Sequence, residues 1–295
     1  MRKSLYRRNT RLKPQEYRRA LTEWFRLTKG WSCNLDDPQK LSEKIQWLKL
    51  YDSTPMKGQL ADKYLVREWV EAKIGAHYLV PLVGVWGHDE TFTLQGLPKR
   101  FALKATHGSG WNVIVEDRAR LRERVIRKRV SQWMNMRKAM TGGFELHYEF
   151  SEPRVIAEAH LADDSGGLRD YKFMMIHGEL QFILAIQGRY THEQSGVYDG
   201  HWRRMPFDYG YRAGEPHDIA RPKALREMVE IAETLSSDFP LVRVDFYEVD
   251  GRVYFGEVTF TPGNGLSDFD PIEHDSEFGS RLNLPEKKTF KGVML

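Results

Sequence analysis

Apolar residues recur at three- and four-residue spacing early in the chain, and the period shortens to two further on. Tyr17, Leu21, Trp24 and Phe25 mark a helix that stops near Gly30. Leu41, Ile45, Leu48 and Tyr51 mark a second, with Asp36 and Asp37 upstream as its caps. A third helix is expected over residues 61–74, ending at Gly75. Strands are then expected at 78–86, 100–105 and 112–115, followed by a basic helix to about residue 136. The second half reads as strands at 154–159, 171–176, 180–186, 241–247 and 252–259, with turns at His177-Gly178-Glu179 and Asp250-Gly251. One helix, over 222–235, opens on Pro222. The stretch 187–221 reads as a long irregular loop. The order of elements predicts an α+β fold with mixed or antiparallel sheets.

Composition narrows the class. The 295 residues, 41% hydrophobic and 29% charged, are enough for a substantial core. No apolar run has the length of a membrane span, and the residues after Met1 lack a signal-peptide apolar core. Cys33 is the one cysteine, so no internal disulfide forms; the expected compartment is the cytoplasm. The net charge of +4 is concentrated at the start, where eight basic residues between Arg2 and Arg19 face only Glu16. A second basic run lies between Arg118 and Arg129. Both read first as solvated helix faces. The N-terminal one also offers peripheral association with an anionic membrane face or glycan, while nucleic acid is not an expected partner.

The chemistry concentrates in VRVDFYEVDGRVYFGEVTFTPGNG, residues 242–265. Residues two apart on a strand share a face, so Arg243 points with Asp245, and Glu257 with Thr259. Pairing around Asp250-Gly251 brings the two carboxylates together, a donor set suited to Mg²⁺ completed by phosphate and water. Arg243 supplies a fixed cation beside them. Upstream, FALKATHGSGWNVIV places Lys104 on a strand running into His107-Gly108-Ser109-Gly110, where backbone amides can close over phosphates. No Gly-Lys-Ser/Thr follows, so this is not a Walker A loop. No histidine spacing suggests zinc.

In this order the pieces resemble the ATP-grasp superfamily. The hairpin resembles the R-x-D…E-x-N-x-x-P-G pattern of its ligases, with Thr259 where the pattern has a metal-binding asparagine. KLSEKIQWLKLYDSTPMKGQLADKYLVREWV, LPKRFALKATHGSG, DYKF and YFGEVTFTPGNG, from about Leu41 to Gly279, are similar to the TupA-like ATP-grasp family. The resemblance implies a lid and a core subdomain, both α+β, clasping Mg·ATP: a helical N-terminal region 1–60, a lid over 61–160, a core over 161–280 and a tail over 281–295. It implies that Lys63, Lys104, His107, Gly108, Ser109 and Gly110 meet the nucleotide phosphates. Glu158 would meet the adenine and Asp170 the ribose. Lys172, Arg189 and Arg243 would act on the transferring phosphoryl group, and Asp245, Glu257 and Thr259 would hold Mg²⁺.

The implied activity is ATP-dependent carboxylate–amine ligation through an acyl phosphate, on small-molecule carboxylate and amine substrates, in bacterial cell-surface polysaccharide or polypeptide synthesis. A uronic acid-bearing glycan is one such carboxylate. Two alternatives stay open at this point: a phosphotransferase or glycosyltransferase on the same nucleotide platform, and a non-catalytic nucleotide-binding protein recruited to an anionic partner.

Overall fold

The computed structural model describes residues 2–162, 168–188, 192–210 and 215–295. Helices come first: α1 (Arg2–Asn9), α2 (Tyr17–Lys29), α3 (Leu41–Tyr51), α4 (Pro55–Ala61) and α5 (Val66–Ile74). Helix α2 stops at Gly30, as its pattern predicts. Helix α3 is not capped by Asp36 or Asp37. The Glu43 carboxylate in its own first turn accepts from the backbone N–H groups of Asn34, Gln39 and Lys40. The helix expected over 61–74 forms as α5 over Val66–Ile74, and Ala61 is the last residue of α4. Asp62 Oδ1 accepts from the N–H groups of Tyr64 and Leu65, which ends α4 and starts α5 afresh.

A four-stranded antiparallel sheet follows, built from β1 (Leu82–Trp86), β2 (Phe101–Ala105), β3 (Asn112–Val115) and β4 (Val155–Ala159) in the order β1-β4-β2-β3. Helix α6 (Glu123–Met134) lays Ile126, Val130 and Trp133 on Leu103, Val115 and Ala157 to form the core of this smaller unit.

The larger unit holds a six-stranded sheet ordered β11-β10-β5-β6-β7-β9. Its strands are β5 (Asp170–Ile176), β6 (Glu179–Gln187), β7 (Gln194–Tyr198), β9 (Glu215–Pro216), β10 (Leu241–Val249) and β11 (Arg252–Thr259). All neighbours are antiparallel except β7 and β9. The stretch expected as irregular thus supplies edge strands; β8 (Asp208–Gly210) pairs with β12 (Asp268–Asp270) in a small sheet of its own. Helix α7 (Leu225–Ser236) begins three residues after Pro222, not on it.

One face of the six-stranded sheet, carrying Phe173, Ile183, Val244 and Phe246, packs under α5 and α7. The other face carries Met174 and Phe182 into a second core with α2, α3 and α8 (Glu273–Arg281). Leu60, Val66 and Val70 share the core of the large sheet, so α4 and α5 pack with the core unit and the lid's own core starts at its first strand. Segment 281–295 is also anchored: Lys288 pairs with buried Asp52, and Phe290 is buried. The basic N-terminus is docked on the body. The Asn9 amide donates to the Met140 carbonyl at 3.2 Å, and Arg8 and Arg18 pair with Glu23 and Asp36. Among the described residues, no helix is long and apolar enough to cross a membrane.

Candidate active site

Strand alternation delivers the charged residues to one place. Arg243 and Asp245 leave β10 on the sheet face opposite α5 and α7. The registers set Asp245 across from Glu257 on one side and from Lys172 on the other, and Arg243 across from Thr259. Arg243 grips Asp245 with two bonds, Nε to Oδ1 at 2.6 Å and Nη2 to Oδ2 at 2.7 Å. Its Nη2 also lies 3.1 Å from Glu257 Oε1 and 3.2 Å from Thr259 Oγ1. Lys172 Nζ is 2.7 Å from both Asp245 Oδ2 and Asp170 Oδ2. Lys63, from the break between α4 and α5, reaches Glu257 Oε2 at 3.1 Å and donates to the Gly108 carbonyl at 2.8 Å. One lysine therefore ties the β2–β3 loop to the β10–β11 hairpin.

A bulge between Asp245 and Phe246 leaves Gly256 as the extra residue on β11. A Cβ there would stand 2.9 Å from the Asp245 carbonyl oxygen, so glycine is what allows the two strands to stay close.

The middle of the site is buried, while the Glu257 side chain at its rim is 24% exposed. Asp245 is 1% exposed and Lys172 6%. Burial works against the Glu257 carboxylate, yet Lys63, Arg243 and Lys172 together outweigh it and hold the group ionised well below the usual range. Burial likewise opposes charge on Arg243, and Asp245 and Glu257 reverse that effect. On the lid side Lys104 Nζ lies 2.6 Å from Glu158 Oε2, and Arg67 Nη1 lies 3.6 Å from Glu158 Oε1. Burial disfavours the Lys104 ammonium, but Glu158 overrides it and raises its pKa.

Among the described residues, no three His, Cys, Asp or Glu side chains gather as a ready-made metal cage. The donors present suit a different arrangement. Two hard carboxylates face each other across a strand pair, a hydroxyl stands beside them, and the present counter-ions are side-chain cations that phosphate oxygens can engage instead. Mg²⁺ bound together with phosphates needs no more protein oxygens than these.

The family model for TupA-like ATPgrasp matches residues 43–283, most of the chain. The protein belongs to this family. It has the family's α+β ATP-grasp fold, with the four-stranded unit as lid and the six-stranded unit as core. Among solved structures, a D-alanine–D-alanine ligase from Bacillus anthracis complexed with ATP is similar at 16% identity and a TM-score of 0.42, over 74% of this chain and 58% of that one. The D-alanine–D-alanine ligase from Helicobacter pylori gives 16% and 0.43, over 76% and 61%. The ATP-grasp ligase PsnB, complexed with a precursor variant, Mg and ADP, gives 10% and 0.37, over 77% and 62%. The chain thus spans about three fifths of the length of these neighbours. A search among curated proteins found no match.

Of the residues that the ATP-grasp resemblance singled out, Lys63, Asp170, Lys172, Arg243, Asp245, Glu257 and Thr259 form one connected set of ion pairs and hydrogen bonds, while Lys104 and Glu158 pair with each other on the four-stranded sheet. Ser109 and Gly110 are exposed at the lid loop, and Gly108 turns its carbonyl to Lys63. The His107 ring is buried and Nε2 lies 3.0 Å from the Trp133 carbonyl, which ties the loop to α6. Burial keeps it neutral by lowering its pKa. Arg189 lies outside the described residues.

Sequence reasoning passed over the layer behind these residues. Arg67, four residues after Lys63, is the second cation on Glu158, and that spacing was the available signal. The Pro262–Gly265 turn, left-handed at Gly263 and Asn264, is held from beneath. Lys49 donates to the Asn264 carbonyl at 2.6 Å, and Thr261 to Glu145 Oε1 at 2.6 Å. Burial pushes Lys49 down to about 7, with Glu145 opposing it. Burial favours the neutral form of Glu145, but Lys138 and Lys49 outweigh that and hold it at about 2.

Proposed function

We propose that the protein is an ATP-dependent carboxylate–amine ligase. The reading rests on one observation above the others: Asp245 and Glu257 face each other on paired strands, bracketed by Arg243, Lys63 and Lys172. Asp245, Glu257 and the Thr259 hydroxyl would hold Mg²⁺, which supplies charge neutralisation for phosphoryl oxygens. Lys63 and Lys104 would bind the nucleotide phosphates under the Gly108–Gly110 loop.

A carboxylate oxygen of the substrate attacks the γ-phosphorus of ATP, the bond to the ADP oxygen breaks, and an acyl phosphate forms. Arg243 and Lys172 stabilise the charge spread over the transferring group and orient the attacking carboxylate. An amine nitrogen then attacks the acyl carbon and loses its proton as inorganic phosphate leaves, giving an amide. Catalysis of this kind is positioning and charge stabilisation, so no side-chain nucleophile is required. The family resemblance supports a role in building cell-surface polysaccharide or polypeptide.

The test is incubation with ATP, Mg²⁺, a carboxylate panel and hydroxylamine. Hydroxamate formation matched by ADP release is expected. A stable phosphorylated alcohol or sugar with no hydroxamate moves the protein to the kinases.

A further inference from the structure

The face that carries the charges does not stay charged across the sheet. Its cross-strand pairs run from Glu257 and Asp245 through Lys172 to Leu184, and in the next row from Thr259 and Arg243 through Met174 to Phe182. Polarity therefore ends between β5 and β6. At that border lies a cavity of about 260 Å³, with Lys172 and Arg243 at one end and Met174, Phe182, Leu184 and Ile186 as its wall. The wall is backed by packed rings: Phe182 meets Phe207, Tyr209, Phe269 and Phe278 at centroid distances of 5.1 to 6.1 Å. Packing of this kind does not open readily for a larger or differently shaped guest.

Resting on the ligase reading above, we propose that this cavity seats the body of the carboxylate substrate, and that the substrate is a compact apolar carboxylic acid, best an apolar amino acid, rather than a uronic acid. The two cations set the carboxylate at the reacting end. The body then lies over four apolar side chains. A uronic acid would press its ring hydroxyls against this wall, where each unpaired hydroxyl is penalised. The hydroxyls lining the cavity are those of Ser195, Tyr209 and Ser267, fewer than a uronic acid ring presents. The volume lies below the roughly 300–1,000 Å³ of drug-sized sites, which suits one amino acid. Glu193, half-buried on the lining, gives an ammonium group a counter-charge.

The experiment compares kcat/KM for hydroxamate formation by the full chain with Mg·ATP. The acids are leucine, valine and phenylalanine, their des-amino analogues, and glucuronic and galacturonic acids. The apolar amino acids are expected to exceed the uronic acids by at least about tenfold. Leu184→Gln should raise KM for the apolar acids by about tenfold while Mg·ADP binding, measured by equilibrium dialysis, is unchanged. A preference for uronic acids, or no stimulation by any apolar acid, overturns the inference and leaves the ligase reading standing if another acid gives hydroxamate. A phosphorylated alcohol in place of any hydroxamate overturns the ligase reading itself. A Leu184→Gln protein with unchanged KM removes the cavity from substrate binding.

Discussion

The two faces of the six-stranded sheet are made from the same strands and differ in almost everything else. Beneath α5 and α7, Phe173, Val244 and Phe246 are fully buried, and the rings of Phe173 and Phe246 meet edge to face at 5.3 Å. One residue along each strand, Lys172, Arg243 and Asp245 point the other way into a network of ion pairs. Apolar burial contributes stability in proportion to area, whereas buried ion pairs repay little beyond their own desolvation. Alternation lets a single strand carry both kinds of residue. The rigid face then holds the charged one in place.

The largest effect should come from the apolar face. Phe246→Ala should lose about 3–5 kcal/mol of stability, read by urea unfolding, because the edge-to-face packing cannot close over the gap. A loss below 1 kcal/mol would mean that this face is not the support we describe. On the charged face the pattern should invert. Glu257→Gln should lower turnover by about a hundredfold or more, on the order of 3 kcal/mol, while the ligand-free melting temperature moves by only a few degrees. Stabilisation by Mg·ATP should shrink with it. Near-normal activity would remove Glu257 from the metal site and erase the contrast between the faces.

A third test lies in the buried polar cluster beside the Pro262–Gly265 turn. Burial pushes the His147 imidazole down to about 3 from 6.5; Glu145 opposes this, and Lys57, Lys138 and Lys49 add to it. Between those values the unfolded chain binds a proton that the folded one excludes. Stability should therefore fall as pH drops from about 6.5 towards 3. Glu145, held at about 2 against 4.5, adds a loss of the same sign at the acid end. Lys49, at about 7 against 10.5, makes stability rise with pH across that upper window. Urea unfolding of His147→Gln should show an acid limb flatter by about 1–2 kcal/mol. An unchanged slope would place the proton uptake elsewhere. The smallest effect belongs to the exposed Arg226–Glu230 pair, where Arg226→Ala should change stability by less than about 0.5 kcal/mol.

Much of this was legible because the β10–β11 hairpin obeys a simple rule. Two strands joined by Asp250-Gly251 must set alternate residues on common faces, so the grouping of Arg243 with Asp245 and of Glu257 with Thr259 could be read from spacing, while the bulge that sets Asp245 opposite Glu257 could not. The lid strand of Lys104 was equally readable. Failures came where a local polar group overrode periodicity. Asp62 cuts an otherwise continuous helical pattern by capping from within, and Glu43 takes over a capping task that two upstream aspartates advertise. The strands β7 to β9 carry little alternation, since tertiary pairing and not pattern makes them strands. The burial of His107 against α6 is a third thing that the sequence does not announce, since a polar residue beside a glycine-rich loop reads as exposed. Lys49 was invisible for the opposite reason: its partner Asn264 is distant in sequence, and only folding introduces it.

The bulge at Gly256 has a consequence for the phase of β11. In a regular strand that ran through Gly256, Val253 and Phe255 would share a face with Glu257 and Thr259. With the bulge, Val253 and Phe255 pair across from Glu248 and Phe246 and join the apolar core, while Glu257 and Thr259 face the ion pairs. The strand therefore behaves like two half-waves spliced half a period out of step, and the splice is a single glycine. Were the ladder to run through Gly256 without the bulge, the two ends of this strand would demand opposite faces. One end would have to bring carboxylate and hydroxyl into the core, or the other would have to surrender a valine and a phenylalanine to the site. Alignment of the charged residues with the buried ones is thus carried by one backbone step, and the register of this hairpin matters as much as the charges it holds.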